Sequence, residues 1–139
     1  MALSVSEKGR AVRSKLLGAD FAKQLDKTVY TDPMMEKFAE VARQIAFGTV
    51  WVRPGLDLKT RTMITLVSDT TTGRTPELKL HIRMARNQGW TENEIAEAMI
   101  HLTAYVGLPL IREALLTAKE VFSELRAEAK PTAKRAKKK

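Results

Sequence analysis

Residues 75–109 read TPELKLHIRMARNQGWTENEIAEAMIHLTAYVGLP, and this stretch decides the fold. Thr75-Pro76-Glu77 starts a helix, because proline in a first turn has no intrahelical hydrogen bond to lose. Leu78, His81, Ile82 and Ala85 then recur at helical spacing until Gly89 ends the run. Thr91 and Glu94 fit a capping box, in which each side chain accepts from the other residue's backbone N–H. The helix that follows carries Ile95, Ala98, Met99, Leu102 and Val106 on one stripe. Gly107-Leu108-Pro109 breaks it, and no strand-like alternation interrupts either pattern.

Working outward, the same signals repeat. A last helix covers about residues 109–127. Its Leu110, Ile111, Leu115, Leu116, Val121 and Phe122 spread around much of the circumference, which calls for a partner on a second side. Upstream, Asp57 caps a helix over 58–72 that Gly73 ends. Thr31-Asp32-Pro33 caps another, MMEKFAEVARQIAFG (34–48), with Met34, Phe38, Val41, Ala42 and Ile45 on one stripe. A first helix spans about 4–17 and closes at Gly18, and a short one covers 19–26. The expectation is an all-α domain of five to seven helices over residues 1–127, forming oligomers, with residues 128–139 a disordered basic tail.

The chain has 139 residues and no cysteine, which excludes disulfides, thiolate metal sites and thiol redox chemistry. The net charge is +8, yet six basic residues lie in 130–139. The remainder holds eighteen basic against sixteen acidic residues, a net of +2. Nucleic-acid binding needs a basic patch on the fold, so nucleic acid is not expected as a partner. No apolar run reaches the roughly 20 residues of a membrane span. The N-terminus lacks an apolar signal region, so a cytoplasmic location is the default expectation.

Two constellations stand out for chemistry. Residues 50–63, VWVRPGLDLKTRTM, set Trp51 and Arg53 beside a Pro54-Gly55 reversal, with Arg61 on the first turn of the next helix. This arrangement suits a pocket wall that holds an anion; the plain alternative is an exposed turn and an Asp57–Arg61 ion pair of little energetic worth. Both histidines carry a carboxylate one turn before them. Glu77 and His81 are i,i+4 neighbours, and Glu97, His101 and Tyr105 form a second ladder. A carboxylate in reach fixes which ring nitrogen holds the proton. The plain alternatives are a core histidine and a polar seam. Two histidines on separate helices give no close-set metal ligands, and no metal is expected.

Together these residues resemble the carboxymuconolactone decarboxylase family. The likeness runs through Trp51-x-Arg53-Pro54-Gly55-Leu56-Asp57 with Thr60-Arg61, Glu77-Leu78-x-x-His81, Gly89-x-Thr91-x-x-Glu94-Ile95, and Tyr105-x-Gly107-x-Pro109. It covers about residues 10–125. The resemblance implies an all-helical, alkylhydroperoxidase D-like fold that assembles into a homo-oligomer, a trimer or a hexamer. It also implies cofactor-free decarboxylation of 4-carboxymuconolactone, a step of aromatic catabolism. The related peroxidases use a Cys-x-x-Cys pair, which this chain lacks. Leu110-Ile111-Arg112 stands where the decarboxylases are expected to carry small residues, and His101 where they often carry glutamine. The resemblance therefore carries the fold further than the substrate.

On this reading His81 is the general acid and Glu77 orients it. Arg61 and Arg53 bind carboxylate, Trp51 walls the pocket, and His101 with Tyr105 forms a second polar side. The alternatives are a different small carboxylate substrate, or a binding or scaffold protein that keeps the fold without the chemistry.

Overall fold

A computed structural model describes the backbone of residues 1–136 and the side chains of residues 1–130. The order is α1 (Val5–Leu17), α2 (Ala19–Thr28), α3 (Pro33–Ala42), a π-helical segment (Arg43–Val50), α4 (Leu58–Thr72), α5 (Thr75–Asn87), α6 (Glu92–His101), α7 (Thr103–Val106) and α8 (Leu108–Ala136). The π segment continues α3 and the single turn of α7 continues α6, so the described residues hold seven helical rods and no strand. The chain's contacts group into two compact units, Met1–Arg61 and the part from Thr62 onward.

In the first unit the caps follow the sequence. Ser4 and Glu7 form a capping box on α1. Asp32 accepts from the backbone N–H groups of Met34 and Met35 at 3.0 and 3.1 Å, with Pro33 opening α3. The π segment was not expected. Its wider turn is seen where the Trp51 N–H donates to the Ala46 carbonyl at 2.9 Å. Such segments are rare and carry no apolar period of their own over so short a length.

This segment packs on α1 through glycine. A Cβ on Gly9 would lie 2.1 Å from the Arg43 carbonyl oxygen, and one on Gly48 would lie 2.3 Å from that of Val5. Both obstacles are backbone, so no rotamer change relieves them. Glu40 fastens the same region, accepting from Ser6 Oγ at 2.9 Å, Arg43 at 2.9 Å and Gln44 at 2.8 Å. The Arg43 guanidinium, then Gln44 and Ser6, pull the Glu40 carboxyl down to about 2.

The second unit has a continuous apolar core. Leu66 of α4, Leu78, Ile82 and Ala85 of α5, Ile95 and Met99 of α6, and Ile111, Ala114, Ala118, Val121 and Phe122 of α8 pack together. Buried Arg83 ties α5 to α8 through Glu124 (3.0 Å) and Glu128 (2.8 Å), and the bond to Arg83 lowers the Glu128 carboxyl. Arg126 ties α8 to Glu92 at the start of α6 at 2.7 Å. These contacts carry α8 through Glu128, beyond the expected end at 127. The helix runs to Ala136, so the tail expected from 128 is helical up to that point. Its last three residues lie outside those described.

Two outcomes follow from the first unit. Gly9→Ala gains about 1 kcal/mol of helix propensity but meets a backbone carbonyl, and overpacking of this kind costs about 1–3 kcal/mol or more. Gly9→Ala and Gly48→Ala should therefore lower the urea midpoint; an unchanged or raised midpoint would show that α1 and the π segment have room to spare. Glu40 has a depressed folded-state pKa, so its contribution is fully present above the unfolded value of 4.5 and fades as pH falls toward about 2. Denaturation curves of wild type and Glu40→Gln should thus differ at pH 6 and converge toward pH 2.

Candidate active site

Helix α4 buries Thr62, Leu66, Asp69 and Thr70 on one face. Asp69 is the exception among them, a carboxylate only 6 % exposed. A carboxylate in that position is costly unless paired. Its partner is His81: Asp69 Oδ2 meets His81 Nδ1, and both side chains are largely buried. The connection between the helices makes this meeting possible. Gly73 takes φ 67°, the Arg74 N–H donates to the Asp69 carbonyl at 3.0 Å, and Pro76 opens α5. His81 follows on the α5 face that also holds Leu78 and Ile82.

The pairing has a chemical consequence. With Nδ1 engaged by a carboxylate, the ring is held in one orientation and Nε2 is the nitrogen left to exchange a proton. Asp69 also lines a cavity of about 10 Å³ with Leu110 and Glu113 of α8. That is room for one water at most.

Here the structure corrects the sequence reading. Glu77 was expected to orient His81. It lies exposed on the first turn of α5, and the ring's Nδ1 is bonded to Asp69. The i,i+4 spacing permits the Glu77 contact, but a buried carboxylate needs the ring more than an exposed one does. A signal for Asp69 was present: it falls on the buried stripe 62, 66, 69, 70 of a helix, where an acid is out of place.

The remaining candidates fall as follows. Trp51 is buried and its ring stacks on Phe47 at 6.0 Å. The Arg53 side chain is exposed. Arg61 donates to the Arg53 carbonyl at 2.8 Å and the Leu56 carbonyl at 3.2 Å, so its guanidinium fastens the reversal. Asp57 accepts from the Thr60 N–H at 2.7 Å as a cap, and that backbone bond lowers its carboxyl. His101 and Tyr105 are both exposed, with ring centroids 5.5 Å apart. Sequence reasoning also missed an open groove of about 740 Å³ over α8, lined by Ile100, Leu108, Pro109, Ile111, Arg112 and Leu116. Its size is that of a small-molecule site, though none of the expected site residues lines it.

Comparison with known proteins gives this geometry a context. Residues 36–120 match the model of the carboxymuconolactone decarboxylase family. The chain is 33% identical over 120 residues to a 4-carboxymuconolactone decarboxylase of Acinetobacter baylyi, covering 86% of this chain and 87% of that one. It is 36% identical over 121 residues to a nitrosuccinic acid decarboxylase of Metarhizium robertsii, covering 86% and 82%. An uncharacterized 15.0 kDa protein of Paracoccus denitrificans is 38% identical over 80 residues, covering 56% and 60%.

The exchange of Glu77 for Asp69 can be checked directly. Asp69→Ala should destabilise the fold by about 1–3 kcal/mol, the cost of stripping a buried donor of its partner. It should also change the His81 ring signals in ¹⁵N–¹H NMR spectra. Glu77→Gln should stay within about 0.5 kcal/mol, as exposed substitutions do, and leave those signals in place.

Proposed function

Because the chain belongs to the carboxymuconolactone decarboxylase family, we propose that it decarboxylates 4-carboxymuconolactone, or a related small carboxylated lactone, to an enol-lactone without a cofactor. The observation that carries this reading is the Asp69–His81 pair, a histidine held at one nitrogen within the matched segment. The lactone supplies its own electron sink. As the carbon–carboxylate bond breaks and CO2 leaves, its electron pair moves through the conjugated double bond onto the lactone carbonyl. The resulting dienolate takes a proton on carbon.

In this scheme His81 delivers that proton from Nε2 while Asp69 fixes the ring. A positioned acid of this kind is worth about 10²–10⁴ in rate. Exposed Arg53 binds the carboxylate that is retained, for which a guanidinium fork is suited. Arg61 holds the backbone of the reversal that presents Arg53, and Trp51 braces it against Phe47. His101 and Tyr105 form a second polar contact for substrate. Glu77 has no orienting role here.

A second reading keeps the chemistry and changes the substrate. The Metarhizium relative is named for nitrosuccinic acid, a dicarboxylic acid whose nitro group can take up the electron pair just as the lactone does. The class common to both names is a small polycarboxylate with an electron sink next to the carboxylate that leaves. The reading also includes self-association in the cytoplasm as a trimer or hexamer. Its support is the stripe along α3 and the π segment, where Met34, Phe38, Val41 and Ile45 stand exposed, as apolar residues at an interaction surface do.

The test is turnover of 4-carboxymuconolactone and of nitrosuccinate by purified protein. His81→Ala should lower kcat by about 10²-fold or more, while Arg53→Ala should chiefly raise KM. Full turnover in His81→Ala would remove the assignment. Tight binding of either acid without turnover in the wild type would leave a binding protein on this fold. Ile45→Glu should reduce the oligomer mass in sedimentation equilibrium if the α3 stripe is an interface.

A further inference from the structure

The chain carries an apolar ridge and an apolar groove, and neither is covered by other described residues. The ridge is the outer side of α3 and the π segment: Met34, Phe38, Val41 and Ile45, each more than half exposed. They stand at i, i+4, i+7 and i+11, which lines them up along one side of a helix. From first to last the ridge runs about 16 Å at the rise of a helix. The groove is the open space of about 740 Å³ over α8. Leu108 there is 71 % exposed, and Ile100 and Leu116 are 48 and 49 % exposed. Its floor follows α8 from Leu108 to Leu116, about 12 Å by the same rise.

Each surface also holds an uncommitted charge. Lys37 lies one turn from both Met34 and Val41, and Glu113 lies one turn from both Pro109 and Leu116. Both are exposed, and neither has an ion-pair partner among the described residues. Opposite charges beside two apolar surfaces make those surfaces complementary and set their register. Arg112 also lines the groove, but it is turned about 100° round the helix from Glu113, so Lys37 can seat against Glu113 and away from it. Like surfaces fit each other less well. Two ridges laid together offer Lys37 no free anion on the contact face, since Glu40 is taken by Ser6, Arg43 and Gln44. Two grooves laid together leave both hollows unfilled.

We propose that the groove over α8 receives the α3 ridge of a second copy of this chain, with Lys37 of one copy against Glu113 of the other. This rests on the self-association proposed above and names its two surfaces. A helix that lies by its apolar stripe in an apolar groove is a recurrent mode of recognition. Ridge and groove are different surfaces, so the contact is head-to-tail and each copy engages two neighbours. Contacts of this type close into a ring or run on as a filament. A ring of three occupies every ridge and every groove, and two such rings make a hexamer. The groove's apolar lining is then covered by protein, which explains why none of the expected site residues lines it.

The experiment is sedimentation equilibrium on two variants of the full chain, alone and mixed. Ile45→Glu spoils the ridge and Leu116→Glu spoils the groove; both side chains are exposed, and circular dichroism checks that each variant is folded. Each alone should sediment as a monomer. An equimolar mixture should sediment as a dimer, because the intact ridge of one variant seats in the intact groove of the other. A dimer of Leu116→Glu alone would show ridge on ridge, and a dimer of Ile45→Glu alone would show groove on groove. Either result, or a mixture that stays monomeric, overturns the proposal while an oligomeric wild type leaves self-association standing. A monomeric wild type overturns the self-association as well. A second pair of variants keeps the apolar surfaces intact. Lys37→Glu and Glu113→Lys should each weaken association about tenfold or more by setting like charges face to face. The double variant carrying both should recover it, and a double variant no stronger than the singles counts equally against the proposal.

Discussion

A carboxylate placed among leucines must find a donor or lose its charge, and in the second unit that demand settles the geometry. Asp69 sits on the core face of α4, with Leu66 and Thr70 beside it. Its partner is His81, on the core face of α5. For the two to meet, α4 must end at Gly73 and α5 must begin within two residues, which the positive φ of glycine and the proline at the helix start together permit. The orientation of the imidazole is thus fixed by one pairing at the edge of the apolar core. A group suited to proton transfer needs such a setting: held firmly at one nitrogen, with the other available.

The first unit follows another constraint, backbone against backbone. Gly9 and Gly48 let α1 and the π segment approach until carbonyl oxygens occupy the space a methyl group would need. That approach brings Arg13 and Arg43 to the wall of one cavity, each with one carboxylate and one unmet donor. Close packing and incomplete satisfaction coexist there. In a folded chain an orphaned buried donor calls for an explanation.

Much of the fold was legible because it rests on local chemistry. The caps at Asp32 and Thr91 and the helix stops at Gly18, Gly73, Gly89 and Gly107 depend on residues within a turn of one another. The family blocks were legible for the same reason: Trp51 through Arg61 and Glu77 through His81 are contiguous patterns. The π segment was not, because eight residues of slightly wider helix keep the same composition as an α-helix. Nor was the far end of α8, since Arg83 holds it from α5, more than forty residues away in sequence.

The sequence by itself determined the helical class, the caps, the family and the two histidines as the candidates for chemistry. All of these follow from spacing along the chain and from the residue types available. Only the tertiary structure decided which carboxylate serves His81. Along the helix Glu77 stands at the right spacing, but it is exposed and its charge is already solvated by water. Asp69 is twelve residues away and buried, so its need for a partner is the greater, and burial is a property no local pattern records. The structure likewise shows Arg61, expected as an anion ligand, clasping the reversal at Pro54-Gly55. A guanidinium bonds whichever oxygens folding brings nearest, and here those are the carbonyls of Arg53 and Leu56.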